Sequence, residues 1–126
     1  MHRGGLGGLI IDCQGDDLNE AARFWSEALG YPARTPDPDG SYVPLDVPPG
    51  QPYIECQRVD HASRVHLDIK TDDLEAEVAR LEGLGAKRVK QVQHWWVMEA
   101  PTGHRFCVVR LNEGEDPGTL KQWGRM

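Results

Sequence analysis

The residues whose types could do chemistry lie on apolar, alternating stretches. His66 sits in Val65-His66-Leu67-Asp68-Ile69-Lys70, where strict period-two alternation puts His66, Asp68 and Lys70 on one strand face and leaves Leu67 and Ile69 to bury on the other. Imidazole is a general base and a ligand for first-row metals. The plain alternative is a histidine sharing a solvated polar face. Glu55 lies in Ile54-Glu55-Cys56-Gln57-Arg58 and Cys107 in Phe106-Cys107-Val108-Val109-Arg110. Against a role for them, a glutamate is usually a solvated carboxylate and a free cysteine usually a small buried hydrophobe. Trp95 and Trp96 are adjacent on a strand and must point to opposite faces, so only one of them can line a site. Glu99 alternates with Val97 and Trp95 and shares their face. The remaining histidines fall at positions that favour solvation: His2 at the terminus, His61 in a polar link, His94 at a strand junction and His104 in a turn.

Other chemistries find no footing. There is no G-x-S-x-G elbow, phosphate-cradling glycine loop or H-E-x-x-H pair. Cys13, Cys56 and Cys107 are odd in number, far apart and in no C-x-x-C arrangement, which points to free thiols and a cytoplasmic location. A net charge of −6 with scattered lysines and arginines argues against nucleic acid. No apolar run reaches the roughly 20 residues that cross a bilayer, so no membrane partner is expected.

The elements that must position these residues follow from an internal repeat in the 126-residue chain. Gly15-Asp16-Asp17-Leu18 and Thr71-Asp72-Asp73-Leu74 open two amphipathic helices. Leu18, Ala21, Ala22, Trp25 and Leu29 form one apolar face, and Leu74, Val78, Leu81 and Leu84 the other. Asp17-x-x-Glu20 and Asp72-x-x-Glu75 resemble capping boxes, and Gly30 and Gly85 suit the helix ends. A strand precedes each helix, at Leu9–Cys13 and Val65–Lys70. Three strands are predicted after each, at 32–35, 41–47 and 53–59, then at 86–93, 95–100 and 105–110. The spacing therefore predicts one α+β domain over 1–126 made of two βαβββ modules, about 6–59 and 65–110. A tail, 111–126, follows, in which Leu120 and Trp123 would pin a final helical turn.

The series His66-Leu67-Asp68-Ile69, Leu84-Gly85-Ala86 and Pro101-Thr102-Gly103-His104-Arg105-Phe106-Cys107, with Phe24-Trp25 ahead of Leu29-Gly30, resembles the glyoxalase-like domains of the vicinal-oxygen-chelate (glyoxalase/bleomycin-resistance/dioxygenase) superfamily. Ala100 and His104 depart from the family's usual aspartate and asparagine at the last turn. The resemblance implies a curved mixed sheet with a concave pocket, helices on the outer face, and metal ligands from the first and last strands of each module. Aligning the Asp-Asp-Leu triplets sets Ile10 opposite His66, and aligning the last strands sets Glu55 opposite Cys107. Of these four, His66 and Glu55 are ready ligands, Cys107 is a soft one and Ile10 is none, which leaves the metal set His66, Glu55, Cys107 incomplete.

The resemblance thus implies a protein binding a small organic molecule in the pocket, a non-catalytic or sequestering member contacting it through His66, Glu55, Cys107, Trp95, Trp96 and Glu99. The alternative is a lyase, isomerase or dioxygenase acting on vicinal oxygens with zinc, nickel, iron or manganese and Glu55 as the proton-moving carboxylate; a metal-free pocket is equally open. It also implies a homodimer.

Overall fold

The computed structural model describes residues 1–118 and 120–124; of the tail, Thr119, Arg125 and Met126 lie outside them. The elements run β1 (His2–Gln14), α1 (Leu18–Leu29), β2 (Tyr42–Leu45), β3 (Tyr53–Val59), β4 (Arg64–Thr71), α2 (Leu74–Gly83), β5 (Lys87–Val92), β6 (Trp95–Glu99), β7 (Arg105–Arg110) and β8 (Lys121–Trp123). This is an α+β fold with parallel and antiparallel ladders. Neither helix is long and apolar enough to cross a membrane.

The chain forms two compact units, residues 8–66 and residues 1–7 with 67 onward. In the first, β1 pairs in parallel with β3, and β2 pairs antiparallel with β3. Asp17 caps α1 by accepting from Glu20 N at 3.0 Å, and left-handed Gly30 (φ 77°) ends the helix. Its apolar face packs Leu18 and Ala22, with Ala21 and Trp25, against Cys13, Val43 and Cys56. Leu29, the last residue of the helix, is exposed.

In the second unit β4 pairs in parallel with β7, β7 antiparallel with β6, and β6 antiparallel with β5. α2 packs on β5 and β7, and Leu74, Val78 and Leu81 meet Met98, Val108, Trp96, Phe106 and Ile69. The cap of α2 is Asp73, which accepts from Ala76 N at 3.1 Å. Asp72, expected in that role, instead accepts from Arg3 N at 2.8 Å. Leu67, expected to bury, is 47% exposed, because the helix lies over the β5 and β7 side of the ladder. Leu84 is exposed too, as the residue that ends α2.

Three strand expectations change. Segment 32–35 makes only an isolated bridge, Ala33 to Leu45, because Pro32 and Pro36 bracket it and withhold the donors that a ladder needs. β1 runs 13 residues, through glycines that sequence reading left outside the strand. Those glycines allow close approach: a Cβ on Gly4 would lie 2.5 Å from Glu77 Oε2, and one on Gly8 would strike the Tyr53 ring. The tail forms β8 rather than a helical turn, pairing antiparallel with β1 through His2↔Trp123 and Gly4↔Lys121. The Trp123 indole donates to Gly4 O at 3.0 Å, and the Arg80 guanidinium lies 3.9 Å over its ring.

Candidate functional site

In the unit of residues 8–66, the ladders set two rows on the face turned from α1. Ile10, Glu55 and Pro44 form one row, and Asp12, Gln57 and Tyr42 the other. Residues 11, 13, 43 and 56, which alternate with them, pack with the helix. Glu55, a half-buried predicted site residue, thus shares its face with Asp12. The ladder also slips the last-strand alignment by two residues: Glu55 lies beside Ile10, and Gln57 beside Asp12.

Asp12 is the group that sequence reading missed. It is 2% exposed, and its Oδ2 accepts from His66 Nδ1 at 2.7 Å and lies 3.7 Å from Arg64 Nε. Its Oδ1 is buried without a hydrogen-bond partner among the described residues. An ionised carboxylate this deep is held by charged partners, and the imidazolium or the guanidinium can serve. With Nδ1–H given to Asp12, the neutral tautomer of His66 carries its lone pair on Nε2, the nitrogen that would contact a ligand or take a proton. Two signals could have found Asp12: an aspartate inside the apolar run Leu9–Cys13, and its place opposite Asp68 when the Asp-Asp-Leu triplets are aligned.

In the other unit Asp68 lies opposite Cys107 and Cys107 opposite Val97. Trp95 and Glu99, two residues either side of Val97, share that face, whereas Trp96 packs into the cluster under α2. Trp95 is therefore the tryptophan on the Cys107 face. Asp68 is buried (8% exposed) and Cys107 half-buried. Glu99 is held by Arg105 Nε at 3.2 Å. His66 is two residues ahead of Asp68 on β4, so along that strand their side chains leave the same face.

His2, expected to be solvated, is instead bound through Nε2 to the fully buried Glu77 at 2.8 Å. The carboxylate of Glu77 also takes both Arg80 Nε and NH2, at 2.8 and 2.9 Å. His61 contacts Ala62 O through Nδ1 at 2.8 Å, and His104 contacts Thr102 Oγ1 at 2.7 Å. At the C-terminal ends of β1 and β3 an open cleft of about 670 Å³ is lined by Gln14, Gly15, Asp16, Gln57, Arg58 and His61, among others. It adjoins the Asp12 row through Gln57.

The paired ladders, the helix on one face of each unit and the polar opposite face define a glyoxalase-type architecture. The family model of the glyoxalase-like domain matches residues 8–109, and the chain belongs to that family. A hypothetical protein from Bacillus halodurans C-125 superposes with a TM-score of 0.68 at 12% identity, over 90% of this chain and 98% of that one. Methylmalonyl-CoA epimerase from Mycobacterium tuberculosis gives 0.62 at 17% identity, over 83% and 88%. A glyoxalase/bleomycin resistance protein/dioxygenase superfamily member from Vibrio splendidus 12B01 gives 0.52 at 15%, over 81% and 97%. At these identities the likeness is one of fold. No curated protein matches the sequence.

Proposed function

We propose that this chain binds a small organic molecule on the strand face turned away from its helices, with His66 as the principal polar contact. The observation that carries this reading is the short hydrogen bond from a nearly buried imidazole to a buried carboxylate. Such a partner fixes ring orientation and tautomer before a ligand arrives, which lowers the ordering cost of binding. Glu55 and Gln57, on the face that carries Asp12, add polar contacts. In this reading the protein works in the cytoplasm as a homodimer.

A second reading has its own support. Asp68 and Cys107, opposite one another across the β4–β7 ladder, are a carboxylate and a thiol suited to a divalent ion of borderline softness, and along β4 the imidazole of His66 leaves the same strand face two residues ahead. The set differs from the sequence expectation in holding Asp68 in place of Glu55. A resident ion would supply Lewis acidity toward a substrate oxygen. The chain's own part would be to orient the donors, Asp12 holding His66, and to move a proton at the carboxylate of Glu55.

The test is metal content of tag-free protein, then thermal-shift titration of divalent ions and a panel of small organic acids against the wild type and His66→Ala. Stabilisation by an organic compound, lost in the variant and independent of metal, supports the binder. Stoichiometric metal lost in the variant moves the assignment to the metal-dependent reading. No response to either class overturns both.

A further inference from the structure

Lys70 stands two residues beyond Asp68 on β4 and shares its strand face. Its side chain lies across the backbone of Gly7, where a Cβ would meet Lys70 Cγ at 2.5 Å. The lysine stem is thereby held down, the side chain is 15% exposed, and its ammonium grips both oxygens of one carboxylate, Glu115 Oε1 and Oε2, at 2.7 and 2.6 Å.

Glu115 comes from the connection between β7 and β8, not from the sheet. Residues 112–118 are largely exposed, with Glu115 turned inward and Gly114 and Gly118 on either side of it in left-handed conformations (φ 76° and 56°). Glu115 Oε1 also accepts from Asn112 N at 2.9 Å. The start of the connection is fixed by Leu111 N donating to Thr71 O at 2.9 Å, and beyond it β8 is fixed by its ladder with β1. A loop secured at both ends and bracketed by glycines can lift its middle without unfolding what flanks it.

We propose that Lys70 is an anion-recognition point for the ligand of this face, accepting a carboxylate or phosphate group, and that Glu115 is the chain's own occupant of that point, displaced when the ligand binds. The inference rests on the ligand-binding reading above and names the chemistry of one end of the ligand. Three features support it. The lysine already holds a carboxylate through both oxygens. Its stem is ordered over Gly7, so little freedom is left to lose on exchange. An ammonium is a compact point charge that serves carboxylate and phosphate alike. An internal competitor lowers the apparent affinity by the fraction of time that the loop is lifted.

The experiment follows backbone amide NMR shifts of the full chain during titration with succinate and, separately, inorganic phosphate. Shifts at residues 112–118 are expected with at least one probe, and the probe that saturates at lower concentration identifies the preferred anion. Glu115→Gln should bind that probe roughly fivefold or more tightly, the competitor's charge being gone. Lys70→Met should lose the response and Lys70→Arg keep it. A thermal melt checks folding, and the Glu115→Gln comparison decides the matter if Lys70→Met does not fold. Unchanged or weaker binding by Glu115→Gln, or no saturable response in any variant, overturns the proposal. Inorganic phosphate is too small to span the roughly 13 Å of extended strand between positions 66 and 70, so a phosphate response that tracks residues 70 and 115 while the organic-acid panel fails against His66→Ala would leave this inference standing and remove the broader reading; the reverse pattern would do the opposite.

Discussion

Replacing Glu77 by alanine should unfold the protein more readily than any surface change, and the size of the effect follows from its surroundings. The side chain is 0% exposed and accepts three hydrogen bonds from cationic or potentially cationic donors, two from Arg80 and one from His2. Each such bond is worth about 1.5–3 kcal/mol. Arg80 is 25% exposed and can still rest on Trp123, so part of its loss is recovered through water. The expected cost is about 3–4 kcal/mol, in the range of a broken buried ion pair, out of a total of roughly 5–15 kcal/mol for a domain. Urea unfolding followed by circular dichroism at neutral pH should show a lower midpoint with an unchanged slope. A loss below about 1 kcal/mol would refute the claim that this carboxylate anchors the second unit. The pH dependence gives an independent check. Burial pushes the Glu77 carboxyl up, but the Arg80 and His2 hydrogen bonds outweigh it and leave the group below the ordinary glutamate range. A depressed folded value means stability that is present above the unfolded pKa of about 4.3 and is lost as pH falls through it toward the folded value. Glu77→Gln should therefore show a flatter stability profile on the acid side.

Asp12→Asn preserves shape and keeps an oxygen that accepts from His66 Nδ1–H, but removes the charge; affinity for whichever ligand or ion the face binds should fall about tenfold or more by calorimetry, and an unchanged affinity would argue that Asp12 is only structural. Thiol titration of the native protein should find Cys107 reactive and Cys13 and Cys56 silent until denaturant is added, since burial pushes the Cys56 thiol up to about 12 and raises Cys13 as well. Gly8→Ala should cost about 1–3 kcal/mol in chemical denaturation, because the new methyl would displace the Tyr53 ring from its place beside β1.

Much of the fold was legible because helix signals are local. Asp17, Leu18, Ala22 and Gly30 each act within a turn or two of the chain, and the structure gives them the roles their spacing implies. The hairpin from Trp95 to Arg110 was legible for the same reason: its turn closes within five residues through Ala100 N and His104 O, at 2.8 Å. What sequence could not supply was pairing between distant segments. Alternation fixes which face a side chain takes but is blind to a slip of two residues, so Gln57 rather than Glu55 holds the place in β3 that Cys107 holds in β7. The same blindness hid which tryptophan joins Cys107, a question settled only by the Val97↔Cys107 register. β8 was illegible because a three-residue strand carries no period of its own; it forms where β1 offers unpaired backbone and Arg80 a cationic lid for its indole. His2 went unrecognised since its partner lies 75 positions away.

The seven residues at the start of the chain belong to the unit that holds α2, although along β1 they run on directly into the half that holds α1. Cutting the gene at the polar link near residue 62 would not separate the duplicated halves cleanly. The downstream fragment would lack the histidine that hydrogen-bonds its deepest carboxylate and the backbone that its last strand zips onto. Anyone seeking an autonomous half-protein from this scaffold would need to carry that short N-terminal ribbon along, grafted by a linker or supplied as a separate peptide.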